Sequence, residues 1–138
     1  MENPSSQTLH ILQRFNQAFV RHDASMLDDL IAEDCVMESV EPAPDGTRYV
    51  GRDACLAFWR KLAASRDGEF EDEDIVAGGE HGTILWRYRF GPGLSQSIRG
   101  VTVMRVRDGR IAQAHGYVKS GDGSAATAVR AATTSGDA

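Results

Sequence analysis

The sequence predicts an α+β domain, with three N-terminal helices packed on a strongly curved antiparallel sheet that encloses a cone-shaped pocket. Apolar residues recur at helical spacing in three stretches within the first 64 positions and alternate from about residue 70 onward. Asp108-Gly109 joins two alternating runs, a strong signal for a tight hairpin. With 138 residues and no internal repeat, the chain can build one core but not two.

Leu12, Phe15 and Phe19, flanked by Ile11 and Ala18, place an amphipathic helix at roughly residues 6–21. Asp23 can cap a short second helix carrying Met26, Leu27, Leu30 and Ile31, because its carboxylate can accept orphan amide hydrogens. Cys35 to Val40 reads as a strand. The stretch "EPAPDGTRYVG" reads as a loop, since two prolines and Asp45-Gly46 interrupt a ladder. A third helix spans about Arg52 to Ala64, with Leu56, Trp59, Leu62 and Ala63 on its buried stripe.

The period then changes. Phe70 to Ala77 is a strand whose "EDED" makes a solvated edge. In Thr83 to Phe90, the residues Ile84, Trp86, Tyr88 and Phe90 point one way, and Leu85, Arg87 and Arg89 the other. "GPG" at 91–93 lies in the next connection, Ser97 to Arg107 is a strand, and Ile111 to Lys119 completes the hairpin. Residues 1–120 make the domain. Residues 121–138, low in bulky apolar side chains, read as a disordered tail.

A net charge of −5 and thirteen scattered arginines argue against a nucleic-acid partner. No apolar run is long enough for a membrane span, and "MENPSSQT" lacks a signal-peptide pattern. Cys35 and Cys55 stand in dissimilar contexts, which suggests buried thiols and a cytoplasmic protein. The four histidines lack metal-ligand spacing, and no cofactor motif is present, so neither a metal nor a cofactor is expected.

The segments "FNQAFVRHDASMLDDLIAEDCVMES", "GRDACLAFW" and "RGVTVMRVRDGRIAQAHGYVK" resemble the SnoaL-like branch of the nuclear transport factor two-like superfamily, over about residues 8–120. The resemblance implies a homodimer through the outer sheet face, where Arg87, Arg89 and Arg105 would lie. It implies no single activity, because the superfamily holds isomerases, polyketide cyclases, epoxide hydrolases, dehydratases and binding domains. Aligned with ketosteroid isomerases, the base and the two oxyanion-holding positions carry Ser39, Phe15 and Thr102, none of which can play its part. Where epoxide hydrolases and SnoaL-like cyclases place an acid at the end of the last strand, this chain has Lys119.

"AHGYVKSGDG" places His115, Tyr117 and Lys119 at every second position, as if aimed together into the pocket. Lys61 and Lys119 are the only lysines, and burial can tune a lysine toward acid–base work. His115 could shuttle the proton, with Tyr88 beside them as a third catalytic candidate. Phe15, Met37, Ser39, Trp59, Trp86, Thr102, Met104 and Tyr117 are the candidate pocket lining. The leading reading is a cofactor-free enzyme acting by general acid–base chemistry on a small, largely apolar metabolite. The alternative is a non-catalytic binding or accessory domain with a vestigial pocket.

Overall fold

The computed structural model describes residues 3–119, so the expected C-terminal tail lies outside the described residues. Helix α1 (Pro4–Val20) starts two residues earlier than its apolar spacing suggests. The Asn3 side chain accepts from Ser6 N at 2.8 Å, and Pro4 occupies a first-turn position where no amide hydrogen is needed. It ends before His22, whose φ is +53°.

The expected second helix is only a 3-10 turn, Ala24–Leu27, capped as anticipated by Asp23 through Ser25 N. Its proposed last residue, Ile31, instead opens strand β1 (Ile31–Glu38), where it pairs with Ile111. The Leu30 carbonyl accepts from Ile111 N at 2.7 Å, so sheet pairing takes the backbone that a helix would have needed. Within the expected loop lies a three-residue edge strand, β2 (Arg48–Val50), paired antiparallel with β1. Helix α2 (Arg52–Ala64) has the expected bounds.

Four long strands follow: β3 (Gly68–Gly78), β4 (His81–Phe90), β5 (Gln96–Arg107) and β6 (Arg110–Val118). Asp108 and Gly109 both take positive φ, the conformation that a tight Asp-Gly hairpin turn requires. The six strands run in the order β2-β1-β6-β5-β4-β3. The sheet is mixed rather than antiparallel, because β1 runs parallel to β6. It is also open, with β2 and β3 as its edges among the described residues, and does not close into a cone. The acidic run at 71–74 is exposed on the β3 edge, as expected.

Helix α1 packs against β3 and β4, and α2 against β1. The core between helices and sheet includes Leu12, Phe15, Trp59, Ile84, Trp86 and Met104. Cys35 and Cys55 are free and fully buried in it, and burial pushes both thiols up from their ordinary values. Among the described residues, no helix is long and apolar enough to cross a membrane.

Candidate functional site

A cavity of about 80 Å³ lies between the two helices and the inner face of the sheet. Its helix wall is Phe15, Asn16 and Phe19 from α1 with Phe58, Trp59 and Leu62 from α2. Phe15 meets Trp59 edge-on at 5.0 Å between ring centres. The sheet contributes Met37, Phe70, Ile84, Trp86, Thr102, Ala114 and Gly116. Strand alternation in β4 puts Ile84 and Trp86 on this side, as the sequence indicated, and Phe70 braces Trp86 edge-on at 5.6 Å.

The polar groups are few. Ser39 is spent on its own loop: its hydroxyl donates to Glu41 O at 2.8 Å and accepts from Thr47 N at 3.2 Å. Thr102 Oγ1 accepts from Trp86 Nε1 at 3.0 Å, which fixes the indole ring. Glu38 also borders the cavity, next to Met37 on β1. The Glu38 carboxylate turns to the other face, where His115 Nδ1 donates to it at 2.8 Å.

Six of the eight expected lining residues therefore meet at this cavity: Phe15, Met37, Ser39, Trp59, Trp86 and Thr102. Met104 is buried in the core beyond it. Tyr117 is 59% exposed on the opposite face of the sheet. The placement of His115 and Lys119 inside the cavity is likewise corrected: Lys119 is exposed and borders an outer-face groove with Glu73, Leu85 and Arg99.

The reason is one residue of phase. Ile111 faces inward, so strict alternation would bring 113, 115, 117 and 119 inward too. But β5 pairs Arg105 with Gln113 and Val106 with Ile111, leaving Ala112 as a bulge. Beyond it the even positions, Ala114 and Gly116, face the cavity. Tyr88 does point to the core side, 2% exposed, but its ring packs on Phe70 and Phe90 outside the lining. Burial pushes its phenol up to about 12, with the negative charges of Asp67 and Glu69 adding to the effect.

Asn16 was not among the expected residues. It is 5% exposed and lines the cavity, and its Nδ2 has no hydrogen-bond partner. The signal was present in the sequence: position 16 falls four residues after Leu12, a polar side chain on an otherwise apolar helix face.

The sequence profile described as a SnoaL-like domain matches residues 12–114. This chain belongs to the SnoaL-like domain family. An NTF2-like protein of unknown function from Mesorhizobium loti is 45% identical to this SnoaL-like chain, with a TM-score of 0.80, covering 87% of this chain and 97% of that one. A steroid delta-isomerase from Pseudomonas aeruginosa superposes with a TM-score of 0.76 at 19% identity, covering 97% of this chain and 94% of that one. An epoxide hydrolase from M. tuberculosis, described as LEH-like, gives 0.71 at 18% identity, covering 96% and 89%. These last two are similar in fold. No curated protein is detectably similar in sequence. Of the positions that the family resemblance brought forward, Phe15, Ser39 and Thr102 border the cavity of this SnoaL-like domain, and Lys119 does not.

Proposed function

We propose that this SnoaL-like domain binds a small, largely apolar molecule in the cavity between α1, α2 and the sheet. The observation that supports this is the character of the lining. Aromatic, aliphatic and thioether side chains make up most of the wall, and the carboxylate of Glu38, which also borders it, is engaged by His115. An apolar hollow of this kind suits an apolar ligand, which gains burial without having to desolvate charge.

The acid–base reading requires a proton donor or acceptor within hydrogen-bond reach of the bound molecule. Lys119, His115 and Tyr88, the residues offered for that role, all lie outside the lining. Binding is therefore the better-supported activity, and the kinship with isomerases, cyclases and hydrolases is one of fold. Thermal-shift measurements with single-ring apolar compounds test the proposal. Several should raise the melting temperature of the wild type, and none should raise that of Ala114→Val, whose added methyl groups occupy the cavity. Stabilisation that survives in Ala114→Val would place binding elsewhere.

A further inference from the structure

Asn16 holds a buried amide in a wall that gives it nothing to bond. Its Nδ2 is sealed from solvent without a partner, and an unpaired buried donor costs more than an ordinary hydrogen bond gains. Such groups are rare in native interiors and call for an explanation. A second donor stands across the cavity. Thr102 Oγ1 already accepts from Trp86 Nε1, so what it has left to offer is its own hydrogen, for which no acceptor is seen among the described residues. Ser39, by contrast, both donates and accepts within its own loop.

Two donors of lining residues, the Asn16 amide and the Thr102 hydroxyl, are therefore left without acceptors among the described residues, while the Glu38 carboxylate is engaged by His115. Among the described residues, no lysine, arginine or histidine lines the wall to compensate an anion. From this we infer that the ligand presents a neutral oxygen acceptor, of the carbonyl class, to the Asn16 amide, making Asn16 the residue that sets specificity. The inference rests on the proposal that the cavity holds an apolar ligand, and it adds the one polar atom that ligand carries.

Acetophenone and α-methylstyrene test it, because they share a shape and differ in having C=O or C=CH₂. Both tryptophans of the chain line the cavity, so their indole N–H resonances report occupancy by either probe. Wild-type protein should bind acetophenone about tenfold more tightly than α-methylstyrene, a typical return for one buried hydrogen bond. Only acetophenone should move the Asn16 side-chain amide protons downfield, a readout that needs no variant. Asn16→Leu, close in shape but without the amide, should bind the two probes within about twofold of each other.

Equal wild-type affinities, an unmoved Asn16 amide, or a preference that survives in Asn16→Leu would overturn the assignment while leaving the apolar site standing. Silence of both indoles with both probes would remove the ligand site, and the role of Asn16 with it.

Discussion

Tyr88 shows how the core constrains a single titratable group. Its phenol, 2% exposed, titrates near about 12 because burial disfavours the phenolate and nearby carboxylates reinforce that. In the unfolded chain it returns to about 10. Between those values the unfolded state has released a proton that the native state retains, so stability falls as pH rises from about 10 toward about 12. A shift of this size corresponds to roughly 2–3 kcal/mol at the upper end. Cys35 and Cys55, also raised by burial, add a loss of the same sign that begins nearer the ordinary thiol range. Urea melts across that range should show a shallower alkaline decline for Tyr88→Phe than for the wild type. Equal slopes would mean that the phenol is not held neutral by the fold.

At the scale of elements, β6 separates what the sequence disclosed from what it hid. Helices α1 and α2, the β4 alternation and the Asp108-Gly109 hairpin were legible because each rests on local periodicity or turn chemistry. The parallel pairing of β1 with β6, the edge strand β2 and the reduced second helix depend on partners far along the chain. No local pattern carries them. The Ala112 bulge is the most consequential case, since the small side chains of Ala112 and Ala114 around Gln113 give no strong apolar alternation to fix the phase. Much of the cavity wall was legible, because aromatic residues on a regular strand or helix reveal their facing. That bulge puts His115, Tyr117 and Lys119 on the outer face, and Asn16 was not among the expected residues. The phase can be checked directly. Gln113→Arg, at an exposed position, should change stability by no more than about 0.5 kcal/mol. Ala114→Arg, at a position 1% exposed, should cost at least about 3 kcal/mol or prevent folding. The reverse ranking in chemical denaturation would restore the unbulged strand.

For the whole molecule, the two faces of the sheet have different chemistry. The inner face meets the helices. The outer face carries Arg89 with Glu71, Arg99 with Glu73 and Arg105 with Glu80, around Val103 at 38% and Tyr117 at 59% exposure. An apolar centre within a charged rim is the usual anatomy of a protein interface. It supports the homodimer that the family resemblance implies, which we propose forms through this face. Light scattering should then give about twice the 15.0 kDa chain mass, and Tyr117→Glu should halve it. A monomeric wild type at micromolar concentration would argue against the interface.

On the proposed function, ligand binds in the cavity under the helices and not at the end of the last strand. The most direct measurement is an NMR titration of the Trp59 and Trp86 indole resonances with acetophenone, run in parallel on wild type, Ala114→Val and Lys119→Met. Both indoles should show saturable shifts in the wild type, the same curve in Lys119→Met, and none in Ala114→Val. Binding lost in Lys119→Met but kept in Ala114→Val would contradict the proposed function and return the site to residues 115–119.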